Sequence, residues 1–198
     1  GSLETPLGNP FGLDPYDTFF ISRLLVVTNT SRSIVRGFDL GAEYTRELDS
    51  GSVRIALDGT YLRDFKRQAV SSTPVVQNLN TVFNPVDLKM RGTVGYTGSN
   101  LSGAVFINYI DSYKTDNTPK AAPIDSWTTV DLNVTFDTKD NLGGAFFRDT
   151  ALRLSITNLF DQDPPKLPLF ADISVDGYDP TNASPLGRFI SLELTKRF

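Results

Sequence analysis

Apolar and polar residues alternate with a period of two along most of the chain, as they do in extended strands with two unlike faces. From Trp127 to Phe136, the residues Val130, Leu132, Val134 and Phe136 take one side, and Thr129, Asp131, Asn133 and Thr135 the other. Phe38, Leu40, Ala42 and Tyr44 oppose Asp39, Glu43 and Thr45. Val53, Ile55, Leu57 and Tyr61 oppose Arg54, Asp58, Thr60 and Asp64. Leu88, Met90, Val94 and Tyr96 oppose Lys89, Arg91, Thr93 and Thr97. Leu152, Leu154 and Ile156 face away from Arg153, Ser155 and Thr157, and Ile190, Leu192, Leu194 and Phe198 from Ser191, Glu193, Thr195 and Arg197. Leu101, Val105, Ile107 and Tyr109 alternate with Ser102, Ala104 and Asn108, but Phe106 and Ile110 break the pattern. The alternation predicts seven strands, at about 31–48, 51–65, 86–97, 100–112, 127–137, 150–159 and 188–198.

The lengths of these strands and of their connections carry further information. Most of the strands have ten or more residues, whereas a typical strand of a soluble domain has about 5 or 6. A tilted strand that crosses a bilayer needs about 9–11. The connections alternate between short and long: Asp49-Ser50 and Gly98-Ser99 are tight, 66–85 and 113–126 are long, 138–149 is intermediate and 160–187 is the longest. Outer-membrane barrels have short periplasmic turns and long extracellular loops. The predicted fold is therefore all-β, an antiparallel transmembrane β-barrel wall, with the long connections at one end. Residues 1–30, with Pro6, Pro10 and Pro15 near Gly8 and Gly12, read as an extracellular lead-in. Phe19 to Thr28 is apolar enough to extend the first strand or to add an eighth.

Composition removes several classes of function. The longest apolar stretch, Leu24 to Val27, is far short of the roughly 20 residues a spanning helix needs. The chain contains no Cys and no His, which excludes disulfides, Cys- or His-based nucleophilic triads and His or Cys metal ligation within it. Its net charge is −4, with acids and bases interspersed, so the basic patch of a nucleic-acid binder is missing. Carboxylates are scattered over different strands, with no sign of the converging pair that acid–base catalysis requires. No enzyme activity, metal or cofactor is expected.

Two stretches resemble a known family. Asn158-Leu159-Phe160-Asp161 closes one strand, and Gly187-Arg188 opens a last strand that ends in Lys196-Arg197-Phe198. Upstream, Asn29-Thr30 leads into Arg36-Gly37-Phe38-Asp39-Leu40, with Tyr44 beyond. Together, over roughly 29–198, these resemble the carboxy-terminal barrel strands of TonB-dependent outer-membrane transporters. The resemblance implies barrels of about 22 strands with a plugged lumen, of which this chain would supply the last seven or eight. It implies further barrel strands, a plug and a TonB box in a preceding segment, carried as a second chain or removed. It implies import of a scarce nutrient, often a ferric siderophore, across the outer membrane of a Gram-negative bacterium. Energy would come from the inner-membrane TonB complex through that segment. Phe198 would belong to the barrel-assembly signal.

Candidate contacts for a small-molecule or peptide ligand lie in the long connections: Phe83, Tyr113, Phe170 and Tyr178 as aromatic platforms, with Asp172 and Asp176 beside them. The same aromatics have a plainer role in packing the loops or forming an interfacial girdle. Asp161, Asp163, Asp172, Asp176 and Asp179 against Lys166 match no calcium-loop spacing, so a solvated acidic loop is the expected reading. Arg63, Lys66 and Arg67 are either a solvated rim or a contact for lipopolysaccharide phosphates. Asp39, Glu43, Arg54, Asp58, Lys89, Arg91, Asp131, Arg153, Glu193 and Arg197 form the wet face. Two other readings stay open at this stage. One is a self-contained eight-stranded outer-membrane structural or adhesion protein, which needs residues 19–28 as a strand. The other is a soluble β-sandwich that binds sugar.

Overall fold

The computed structural model describes residues 32–138, 149–167 and 177–196. The predicted lead-in at 1–30, the possible strand at 19–28, and Phe170, Asp172, Asp176 and Phe198 lie outside these residues. The described residues contain strands, turns and irregular connections but no helix.

Seven long strands appear where the alternation predicts them. They are β1 (Arg32–Leu48), β2 (Gly51–Gln68), β4 (Leu88–Gly98), β5 (Leu101–Ile110), β8 (Trp127–Thr138), β9 (Thr150–Thr157) and β10 (Phe189–Lys196). The connections hold three two-residue strands, β3 (Val76–Gln77), β6 (Tyr113–Lys114) and β7 (Pro123–Ile124), too short for alternation to reveal. The long strands are hydrogen-bonded in chain order, β1-β2-β4-β5-β8-β9-β10, each antiparallel to its neighbours. β3 adds to the far end of β2, and β6 with β7 forms a separate ribbon.

Boundaries shift slightly from expectation. β2 runs three residues further, to Gln68, because β3 holds its end: Phe65 N–H donates to Gln77 Oε1 at 2.8 Å. The tight turn between β4 and β5 sits at Ser99-Asn100. There Asn100 Nδ2 donates to the Asp137 carbonyl at 2.8 Å, and Asp137 N–H donates to the Asn100 carbonyl at 2.7 Å. A bulge interrupts β1 against β2 between Arg36 and Gly37, leaving Arg63 unmatched. A Cβ at position 37 would collide with the Tyr61 carbonyl, so the bulge fits only glycine there.

The register makes the two faces continuous. One row runs Tyr44, Ile55, Val94, Val105, Leu132, Ile156, Ile190, one residue from each long strand. The next row towards the tight turns runs Arg46, Val53, Tyr96, Gly103, Val134, Leu154, Leu192. The adjacent row of the other face reads Thr45, Arg54, Gly95, Ala104, Asn133, Ser155, Ser191. Because side chains alternate across a strand, a slip of one residue would exchange the two faces.

Nothing among the described residues covers the apolar face. Leu40 is 65% exposed, and Leu192 and Leu194 are 68% and 70% exposed. A soluble antiparallel sheet buries its apolar face against a second layer. Here the buried apolar cluster, Val86, Tyr113, Ile124 and Leu167, lies in the connections instead. β1 and β10 have no pairing with each other among the described residues, so the sheet presents two edges.

Candidate functional site

The three long connections join β2 to β4, β5 to β8 and β9 to β10, and antiparallel order puts them all at one end of the sheet. They assemble into a cap. Val86 and Ile124 are 1% exposed, and Tyr113 and Leu167 pack with them, with Val82 and Ile110 at the margin. This placement explains why Ile110 departs from the alternation: it serves the cap rather than the sheet. Backbone hydrogen bonds sew the first two connections together, with Val82 N–H donating to the Lys114 carbonyl and Lys114 N–H to the Asn80 carbonyl, both at 3.1 Å.

Asp179 brings in the third connection. It is completely buried. Its Oδ2 accepts from Phe83 N–H at 3.2 Å and from Asn182 Nδ2 at 2.9 Å, and its Oδ1 accepts from Thr181 N–H at 2.9 Å. Asn182 Nδ2 also donates to the Asn84 carbonyl at 2.8 Å. A buried carboxylate is tolerated when donors replace its hydration, and these donors come from connections almost a hundred residues apart in sequence. Tyr113 lies against the same carboxylate. Burial pushes its phenol above its ordinary value, and the nearby negative charge of Asp179 adds to the effect. The expectation of a solvated acidic loop thus fails at Asp179.

The predicted ligand contacts separate on this geometry. Tyr113 is 6% exposed and holds the cap's interior. Phe83 is 41% exposed and sits in the left-handed region at φ 61°. That conformation is unusual for a bulky residue, and the Asp179 hydrogen bond to its N–H helps to hold it. Tyr178 is half-buried one residue before Asp179. Leu167 N–H donates to the Gly177 carbonyl at 2.9 Å, tying two parts of the third connection together.

A second device ties the last two strands together. Asn158, at φ 52°, bridges its own turn: its Nδ2 donates to the Gln162 carbonyl at 3.0 Å, and its Oδ1 accepts from Gln162 N–H at 2.9 Å. Asp161 Oδ1 accepts from Arg188 N–H at 2.6 Å, just before β10. A Cβ at position 187 would stand 2.5 Å from that same oxygen, so a side chain there would push the Asp161 carboxylate from its present position. Asn158-Leu159-Phe160-Asp161 and Gly187-Arg188, widely separated in sequence, are therefore one contact.

The polar face carries paired charges. Arg54 meets Glu43 at 2.7 Å, Arg153 meets Glu193 at 3.4 Å, and Lys66 meets Asp64 at 2.7 Å. Phe106, the other break in the alternation, lies under the Arg91 guanidinium, 4.3 Å from ring centroid to Cζ, so its apolar ring suits the polar face. Arg67 stacks likewise on Phe65 at 4.7 Å. Asp131 accepts from Asn108 Nδ2 and from Asn158 N–H, both at 2.9 Å. At the loop end of this face, Trp127 Nε1 and Asp87 Oδ1 are buried without a hydrogen bond among the described residues, leaving a donor and an acceptor open. No group of three or more metal-ligating side chains converges among the described residues. Sequence reading placed Asp179 only in a solvated acidic loop and missed Asn182 and the Trp127 indole, because polar residues in a loop and a lone Trp at a strand start carry no periodic signal.

Comparison with family models, curated proteins and solved structures finds no match to this chain.

Proposed function

We propose that the chain forms part of the wall and the external cap of an outer-membrane barrel, in a TonB-dependent transporter of a Gram-negative bacterium that imports a scarce nutrient. The ligand would be a ferric siderophore or another small organic or peptide molecule. The observation that carries this reading is the unbroken apolar row across seven antiparallel strands, backed by a face of ion pairs and hydroxyls. In lipid every backbone group must be satisfied within the protein, which leaves helices and closed barrels as spanning structures. On β1 this side runs from Phe38 to Leu48, ten residue steps, apolar except for Arg46 near the turn end. At about 3.4 Å per residue that is roughly 34 Å along the strand. Tilted by about 45°, it gives roughly 25 Å of height, that of the apolar band in outer-membrane barrels. The edges at β1 and β10 are completed in this reading by strands outside the described residues. The transporter reading in particular rests on the resemblance at Arg36 to Leu40 and at Asn158 to Arg188. Phe83, Tyr178 and the open groups of Asp87 and Trp127 are the ligand contacts the cap and wall offer.

The absence of cysteine makes the test direct. A single cysteine at Val105 or at Ala104 is labelled with an environment-sensitive fluorophore in the reconstituted protein. The expected result is quenching of the Val105 label by lipid-borne quenchers and of the Ala104 label by aqueous ones. Equal aqueous access at both positions would overturn the membrane reading. For transport, ligand uptake by cells should collapse when the inner-membrane proton gradient is discharged; uptake that persists points to a passive or purely structural barrel.

A further inference from the structure

The apolar face carries a depression near its turn end. Open and of about 290 Å³, it is lined by Val53, Tyr96, Leu101, Gly103, Leu132 and Val134 among others. Its origin is Gly103, which stands between Tyr96 and Val134 in a row where the other strands carry larger side chains. The floor there is backbone: a Cβ on Gly103 would come within 3.0 Å of the Asn133 carbonyl. The lining is nearly all carbon, so water gains little by filling it.

The same row begins with a charge. Arg46 pairs with Val53, which lines the depression, and lies on the apolar side of β1 between Tyr44 and Leu48. Arg46 is exposed and has no ion-pair partner among the described residues. An arginine at the edge of an apolar band lays its methylenes on the band and its guanidinium in the headgroup layer. A guanidinium there favours bidentate contact with phosphate. Tyr96 stands in the same row and lines the depression, its hydroxyl fixed by donation to the Ser50 carbonyl in the tight turn at 2.7 Å.

We infer that the apolar face holds a bound membrane phospholipid, with its phosphate on Arg46 and an acyl chain in the depression over Gly103. The inference rests on the membrane reading above, since only hydrocarbon chains meet this face in that setting. It adds a site at the turn end, remote from the cap and its ligand. The charge and the depression are independent features of one row, and a phospholipid satisfies both.

The test uses the full detergent-solubilised protein, equilibrated with mixed phosphatidylglycerol and phosphatidylcholine vesicles, re-extracted, and examined by native mass spectrometry. Retained phospholipid should fall about tenfold in Arg46→Gln, the size of one lost charge-assisted contact, and stay within about threefold in Arg46→Lys, which keeps the charge. Val53→Phe and Val134→Phe fill the depression with apolar volume and should each displace the chain while leaving the face apolar. Two such variants guard against one that misassembles, which its urea unfolding profile would reveal. Equal retention in wild type, Arg46→Gln and a folded filled variant would overturn the site. If the wild-type protein sits in the membrane fraction but keeps no lipid, the site fails and the membrane reading stands. If the protein does not enter membranes at all, the membrane reading fails first.

Discussion

The sheet and the cap invert the ordinary division of labour between regular structure and loops. In a soluble domain the strands bury the core and the connections are solvated. Here the large apolar side chains of the sheet's two sides are exposed or half-exposed, with few buried, whereas Val86, Ile124, Tyr113 and Leu167 in the connections are sealed. The difference teaches that the two regions meet the demand for burial differently. Among the described residues nothing covers the sheet's apolar side chains, and in the proposed membrane reading lipid would do so. The cap makes its own interior by gathering three connections around a handful of apolar residues and one carboxylate.

The largest expected effect breaks the sheet's side of this comparison. If the proposed membrane reading holds, Leu132→Arg, in the middle of the apolar side of β8, should cost up to about 2–4 kcal/mol of membrane-folded stability. The neighbouring Asn133→Arg, on the wet face, should change little. Urea unfolding from vesicles checks both, and equal effects would remove the distinction between the faces.

A somewhat smaller effect is expected in the cap. Asp179→Asn keeps the shape but turns one oxygen into a donor, set against either Thr181 N–H or the Phe83 N–H and Asn182 Nδ2 pair, and should loosen the cap by about 1–3 kcal/mol. Limited proteolysis of the loops should accelerate while the sheet's circular dichroism is unchanged. Loss of the sheet signal as well would show that cap and wall are not separable.

Ile124→Val sharpens the comparison further. Removing one methylene from the cap interior should cost about 0.5–1.5 kcal/mol there. Ile55→Val, on the exposed apolar row, leaves no rigid cavity, since in the proposed reading fluid chains would close over it, and should cost less. Amide hydrogen exchange of the loops and urea midpoints supply the two readings.

The smallest effect is a pH dependence. Tyr113 is held above its ordinary value in the folded cap, so the folded state keeps its proton where the unfolded chain loses it. Its contribution to cap stability is intact below about pH 10, the ordinary tyrosine value, and falls as pH rises beyond it. Loop protection measured by proteolysis should decline in that alkaline range in wild type and flatten in Tyr113→Phe.

The fold was largely legible in the sequence because a period of two is a local signal. Each of the seven long strands contains enough alternating positions to declare itself, and even the exceptions at Phe106 and Ile110 mark places where something else contacts the strand. The candidate site was legible only in its residue types. Phe83 and Tyr113 looked alike as loop aromatics, yet one is exposed and the other is part of the cap's interior. Asp179 looked like its neighbouring acids but is the only one of them fully buried among the described residues. Asp161 and Gly187-Arg188 stood out through resemblance, while their reason for belonging together emerged as the hydrogen bond between Arg188 N–H and the Asp161 carboxylate.

By itself, the order of apolar and polar residues determined the strands, their antiparallel neighbours and which side of the wall is oily, since alternation and connection length act between residues close in sequence. The tertiary structure alone decided which loop residues are sealed, which carboxylate clasps the cap and where the apolar face is hollow. Those outcomes depend on donors, carbonyls and missing side chains brought together from distant segments, and no local pattern encodes a contact between residues almost a hundred positions apart.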